Sequence, residues 1–344
     1  MKSPLLSLPG AVAADSPDEG VAAHYGDPHG EQRRLVEGGR GFVDLSHRGV
    51  LRVGGPDRLT WLHSFTSQHL EKLPPNKAEE ALILSPQGRV EHALYLVDDG
   101  EATWFHVEPG TAPELLAFLK KMRFMMRVEP EDVTDQFAVV LTTGPVPDGD
   151  GEGDGDGEGI LARDAGIGHG LHELFLPRAD LEAFGREQPD PAGVWAHEAL
   201  RIAAFRPRVG LETDSRSIPH ELGWITTEDH PGAVHLNKGC YRGQETVARV
   251  DNLGHPPRRL VFLHLDGTAE RLPATGDPVE THEGRAVGHV TSAARHYELG
   301  HVALALVKRT TPVDEPLLAA GIAATQEVVV APDTGANRRP TLRG

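Results

Sequence analysis

The segment Lys238-Gly-Cys-Tyr-Arg-Gly-Gln-Glu245 carries the single thiol of this chain, Cys240, two residues after a lysine. A short helix is expected from Gln244 to Val250, which sets Cys240 just ahead of a helix N-terminus. A neighbouring ammonium and a helix N-terminus both favour thiolate over thiol, and Glu245 opposes them. Cys240 and Lys238 are therefore the candidate reactive residues, and Gly239, Tyr241, Arg242, Gly243, Gln244 and Glu245 form the loop that presents them. The same residues also suit an inert cysteine at a turn whose glycines serve only the backbone. A phosphate loop is excluded, because Gly239 and Gly243 are followed by Gln-Glu and not by Lys-Ser/Thr. Gly166-Ile-Gly-His-Gly170 is not a dinucleotide fingerprint either, since no clear helix opens directly after it.

Other chemistries find less support. One cysteine permits no intrachain disulfide and no Cys-rich zinc or iron–sulfur site from this chain alone, which fits a reducing cytoplasm. The 19 histidines contain no His-Glu-x-x-His pattern; His169 and His172 are three apart but lie in a glycine-rich stretch. No metal site is expected. Residues 148–159 alternate acid and glycine, yet neither EF-hand register puts a glutamate at the twelfth position, where Gly159 or Leu161 falls. That tract reads as a solvated, flexible insertion. It supplies six of the 17 net negative charges, leaving −11 on the rest of the 344 residues. Such a surface disfavours stable nucleic-acid binding, which needs clustered Lys and Arg. No stretch approaches the roughly 20 apolar residues of a membrane span. Pro4 and Pro9 interrupt the signal-like N-terminus, so a cytoplasmic location is expected.

The elements that must position the loop follow from periodicity. Helices are expected at Glu31 to Val36, at Arg58 to His69 after an Asp57 N-cap, at Pro113 to Met126 with Leu115, Leu116, Leu119 and Met122 buried, at Arg178 to Glu187 and at Val194 to Phe205. Strands are expected near Gly41–Ser46 and Val50–Val53. Ala81–Leu84 and Val90–Val97 read as a hairpin turned through Ser-Pro-Gln-Gly, and further strands are expected at Thr103–Val107, Phe137–Thr142 and Leu171–Leu176. From Arg258 the rhythm changes to short strands, Leu260–Leu265, Arg285–Val290, Val302–Val307 and Val328–Ala331, between Gly/Pro/Asp turns. This suggests a small β-barrel or sandwich.

The motif at 238–245 resembles the signature of the folate-binding YgfZ-type proteins, relatives of the glycine-cleavage T-protein. Ile218-Pro-His-Glu221 upstream is similar to that family's run into the motif. Val287-Gly-His-Val-Thr-Ser-Ala293 and His301 to Arg309 resemble the C-terminal barrel shared with T-proteins, and Gly41-Phe-Val-Asp-Leu-Ser resembles their opening strand. The likeness covers roughly residues 30 to 332. It implies an α+β fold, a three-part ring of T-protein type around an opening for tetrahydrofolate or a derivative, closed by a C-terminal β-barrel. On this frame residues 1–30 are an extended lead-in, and 31–135 with 190–255 form interleaved folate-binding α+β units. Residues 136–189 belong to a middle unit, 256–332 to the barrel and 333–344 to a tail. The resemblance also implies a role supporting iron–sulfur proteins or their assembly factors and, through them, tRNA modification.

Two positions depart from the family. T-proteins carry paired aspartates where this chain has His92 and Ala93, and Glu91 is one residue early, which in a strand turns it to the opposite face. Relatives often carry a glutamate at the position of Ala203. Arg201 and Glu221, with Arg249, are the residues expected to face folate. Three readings follow: a folate-binding accessory protein with Cys240 as reactive thiol, a folate-dependent aminomethyl or methyl transferase, and a folate-free interaction protein. The missing carboxylates lean the reading away from catalysis.

Overall fold

The computed structural model describes residues 2–143, 161–227 and 231–335. The acidic tract at 148–159 lies outside the described residues. The chain divides into two compact units, each made of separate segments. The first comprises Met1–Leu62, Leu70–Glu80 and Leu94–Ala204; the second comprises His63–His69, Ala81–Ala93 and Phe205–Gly344.

In the first unit, a five-stranded sheet runs in the order Leu161–Asp164, Leu171–Pro177, Phe137–Thr143, Phe42–Asp44, Pro191–Ala192. Alternation along these strands sends Ala138, Val140, Phe42 and Leu176 to one face, where they bury Leu5 and Leu181. Leu5 belongs to a 3-10 turn, Pro4–Ser7, and Gly185 must lack a side chain because a Cβ there would stand 2.3 Å from Leu5 Cδ2. Residues 1–30 are thus not a free lead-in. They add a two-stranded sheet of Val12–Ala13 and Ala22–His24, and Val21, Ala22 and Ala23 are buried. The composition rich in Pro, Gly and Asp concealed these few anchoring side chains.

A second sheet of this unit places Gly49–Gly54 between Ala102–Val107 and Glu129–Asp132, all antiparallel. Helices form at Pro28–Val36, Ala112–Met122 and Val194–Ala203. The helix expected at Arg58 to His69 ends at Phe65, so Thr66 to His69 lie outside it.

Buried between strands of the first unit is a charged cluster. Glu173 accepts from His106 Nε2 at 2.8 Å and from Arg163, with Arg48 at 3.8 Å. The guanidinium groups of Arg163 and Arg48 lie 5.4 and 5.8 Å from the Tyr95 ring centroid. Burial pushes His106 down to about 4, so it is neutral at pH 7 and its Nε2–H donates. Burial alone would raise the Glu173 carboxyl, but His106, Arg163 and Arg48 outweigh it and hold the group well below the usual range.

The second unit ends in a closed six-stranded barrel: Arg258–Leu265, Gly300–Lys308, Ala286–His296, Pro278–Thr281, Leu317–Ala319 and Ile322–Val328, which pairs back to the first strand. Val261, Leu263, Val279, Val290, Ala303 and Ala305 fill its interior. Closure removes the free edges that a small sheet would expose. The last strand was expected at Val328–Ala331 but lies at Ile322–Val328. Of its residues only Ala324 is buried, so the apolar signal sits at its end rather than along it.

The charged cluster generates a pH dependence. The folded His106 binds its proton more weakly than the unfolded residue, so stability falls as pH drops from about 6.5 toward 4. Loss of the Glu173 charge acts in the same direction below the ordinary carboxylate range. Urea midpoints should show about 2 kcal/mol less stability at pH 5 than at pH 7.5 from His106 alone, and His106→Gln should flatten that slope.

Candidate functional site around Cys240

Segments distant in sequence meet beneath the motif, all within the second unit. Ser67 Oγ donates to the Ala233 carbonyl at 2.6 Å and accepts from Leu82 N at 2.8 Å. Gln68 Nε2 donates to Gly232 O at 2.9 Å, and His235 N donates to Ser67 O at 3.0 Å. These bonds lace residues 63–69 to residues 232–235. Lys238, 5% exposed, completes the seam: its Nζ donates to the carbonyls of His63 and Thr66, the latter at 2.5 Å. The same ammonium lies 5.0 Å from the Tyr241 ring centroid. Burial pushes Lys238 down to about 8, while the carbonyls and the ring face favour its charged form. The lysine is thus a clamp on the backbone, its donors turned to carbonyls rather than offered to solvent.

The other side of the loop rests on the hairpin. Ser85-Pro-Gln-Gly88 turns as expected, with Gly88 N donating to Ser85 O at 2.8 Å. Gly243 has φ +83°, and a Cβ there would stand 2.5 Å from Ser85 O and 2.9 Å from Gly88 Cα. Gly88, at φ +74°, would meet Thr246 Cβ at 2.6 Å. Both glycines are required by one close approach of two backbones. Arg242 reaches along this hairpin to Glu91, 2.8 Å away. Glu91 is therefore on the exposed face of its strand, whereas His92 is buried, as the one-residue offset dictates.

What this framework leaves outside is Cys240, an exposed free thiol. Tyr241 turns inward and is 8% exposed; burial, aided by Asp251, raises its hydroxyl above the usual range. The helix that follows is Gln244–Leu253, a turn longer than expected, with Gly243 at its N-cap. Glu245 and Arg249 are exposed on it, and neither forms an ion pair with a described residue. The loop is held by Lys238, Arg242 and Gly243 instead.

The sequence pattern did not reveal a row of imidazoles close to the motif loop. The rings of His63 and His69 are 4.8 Å apart, and those of His69 and His235 are 5.6 Å apart. A Cβ on Gly239, the residue before Cys240, would lie 3.9 Å from His63 Nε2. Among the described residues no group of three or more His, Cys, Asp or Glu stands in a metal-holding arrangement. An accessible sulfur on a rigid loop, one residue from a glycine that approaches the His63 ring, suits nucleophilic or exchange chemistry. More than 160 residues separate His63 from His235, so no local spacing could have signalled the row.

The three residues expected to face folate differ in availability. Arg201 is buried in the first unit and pairs with Glu198 at 2.5 Å. Glu221 is buried in the second, where its two oxygens accept from Arg258 at 2.9 and 2.8 Å and from Ile218 N at 3.2 Å. Arg258 is shared with Asp214 at 2.7 Å, and that hydrogen bond draws the Asp214 carboxyl far below the usual range. Arg201 and Glu221 therefore serve the framework. Of the three, Arg249 is the one exposed to solvent.

With this geometry in place, comparison assigns the class. Residues 258–335 match the family model of the glycine cleavage T-protein C-terminal barrel domain. The crystal structure of glycine cleavage system aminomethyltransferase T from Bartonella henselae superimposes with a TM-score of 0.75 over 94% of each chain, at 18% identity. The chain has the T-protein fold. A chloroplastic protein of Arabidopsis thaliana that bears the name putative transferase is 28% identical over 83% of this chain and 70% of its own length. The aminomethyltransferase of a Nostoc species is 25% identical over 83% of this chain and 82% of its own. Over most of its length the chain is similar to proteins of the glycine-cleavage T-protein superfamily. No helix among the described residues is long and apolar enough to cross a membrane.

The clamp can be tested directly. Lys238→Met should lower stability by about 2–3 kcal/mol, because two buried carbonyls lose a charged donor. Lys238→Arg should not restore it, since a planar guanidinium cannot replace the compact ammonium. Gly243→Ala should cost more than about 1 kcal/mol through its left-handed backbone and the clash with Ser85 O. Urea midpoints for the three variants check these orders.

Proposed function

We propose that this chain is a reduced-folate-binding accessory protein that supports iron–sulfur cluster assembly or repair and, through it, tRNA modification. Cys240 is its reactive thiol. The observation that carries the reading is the placement of that sulfur: exposed, on a loop whose neighbours on both sides are clamped inward. A cysteine kept only for packing would be the buried member of such a loop. The T-protein fold supports a reduced folate as ligand, with Arg249 offering charge to its carboxylates. Bound folate would supply one-carbon or redox-sensitive pterin chemistry; this chain's residues contribute the thiol, the imidazole row close to its loop and the rigid seam beneath. A cytoplasmic location and iron–sulfur proteins or their assembly factors as partners belong to the same proposal.

A second reading, folate-dependent aminomethyl or methyl transfer, is favoured by the names of the relatives. Against it stands the strand at 90–98: Glu91 is tied to Arg242 on the exposed face, and the next two positions are His92 and Ala93. Neither of those two positions carries a carboxylate that could act as the transfer base.

Titration calorimetry with a reduced folate on the wild type, Cys240→Ala and Arg249→Ala separates these readings. Folate affinity should be unchanged in Cys240→Ala and about tenfold weaker in Arg249→Ala, the loss of one ion pair with a carboxylate. Cells carrying Cys240→Ala should lose iron–sulfur enzyme activity while the protein keeps its melting temperature. Full activity in that variant removes the thiol from the mechanism. Methylene-tetrahydrofolate formed from an amine donor would establish the transferase reading instead.

A further inference from the structure

Away from the Cys240 loop, the barrel hides a cation without a counter-charge. Arg259, on the strand Arg258–Leu265, is 0% exposed. Its NH2 group donates to the Thr311 carbonyl at 3.0 Å and to Gln326 Oε1 at 2.7 Å. Both are neutral acceptors. Its Nε and NH1, which carry three of the five guanidinium N–H bonds, have no hydrogen-bond partner. No carboxylate among the described residues forms an ion pair with it. Beside it, the Thr311 side chain is 4% exposed and its Oγ1 is also buried without a partner.

The surroundings are built to stay in place. Gln326 Nε2 donates to the carbonyls of Pro312 at 2.8 Å and Glu315 at 3.2 Å, which fixes the turn over the guanidinium and aims Oε1 at it. That turn is thin, and Thr310, Pro312, Val313 and Asp314 are exposed.

Arginine cannot escape burial by losing its proton, as a lysine or histidine does. An uncompensated buried charge with open donors is strongly unfavourable. Two observations thus converge: open guanidinium donors and an open hydroxyl, at adjacent residues. We propose that Arg259 and Thr311 form a binding site for a small inorganic anion of halide size, chloride in the cell, held by the open NH1 edge of the guanidinium and the Thr311 hydroxyl. This site lies in the barrel and is independent of folate and of Cys240. An ordered water could meet the hydrogen bonds, but only an anion also neutralises the charge.

Thermal melts of the full chain in sodium chloride and in sodium gluconate at matched ionic strength test the proposal. The melting temperature should rise with chloride concentration and not with gluconate, as expected for a ligand bound by the native state alone. Thr311→Val should shift the chloride response to higher concentration, and Arg259→Met should abolish it. Crystals soaked in bromide should show an anomalous peak within hydrogen-bonding distance of the Arg259 guanidinium, a readout that does not depend on either variant folding. Identical chloride and gluconate series, or a bromide soak with no peak at Arg259, overturns the proposal and assigns the space to water.

Discussion

A charged ammonium taken out of water needs acceptors, and at Lys238 the chain supplies them from its own backbone. The carbonyls of His63 and Thr66 are exposed to it because the preceding helix stops at Phe65. That single ending determines much else. It frees Ser67 and Gln68 to bond the chain at 232–235, and it brings His63 and His69 to the surface beside the loop. With Lys238 pointing inward, the next inward position falls at Tyr241, whose ring caps the ammonium. Gly239 and Cys240 are left outside between them. The exposure of the thiol is thus a consequence of where the lysine is buried.

The sequence made some of this legible and hid the rest, for identifiable reasons. Ser85 to Gly88 announced a hairpin through turn chemistry that acts within four residues, and the barrel strands announced themselves by short apolar runs between turns. Gly243 was conspicuous in the motif, but its reason, the approach of Gly88, depends on a contact across about 150 residues. The histidine row has the same origin: it is made by lacing, not by spacing. Lys238 was expected to support the thiol by its charge; the fold instead turns that charge to the backbone. Residues 1–30 misled because a few buried side chains, Leu5 and Val21 to Ala23, are enough to dock a segment of otherwise loop-like composition.

The same strand logic bears on the chemistry. Along residues 90–98 the side chains alternate, and the exposed Glu91 is drawn to Arg242 of the motif. The carboxylate thereby becomes part of the loop's support, and His92 takes the buried side. Glu91 thus acts as a brace for the motif loop, and the two positions after it, His92 and Ala93, carry no carboxylate. Glu221 and Arg201 are likewise internal partners, of Arg258 and Glu198.

Arg258 and Arg259 show how closely charge must be matched once the barrel closes. They are neighbours on one strand, so their side chains leave on opposite faces. Arg258 meets Glu221 and Asp214, and the hydrogen bond to Glu221, with that to Asp214, raises its pKa against the burial that lowers it. Arg259 meets a carbonyl, an amide oxygen and nothing negative, and burial lowers its pKa. Two identical groups one residue apart thus differ only in what the fold places opposite them. A barrel of this size has room in its interior for aliphatic side chains and little else, so a buried guanidinium stands out among them. That the position holds an arginine with donors unpartnered by the chain makes sense where the charge is answered from outside it.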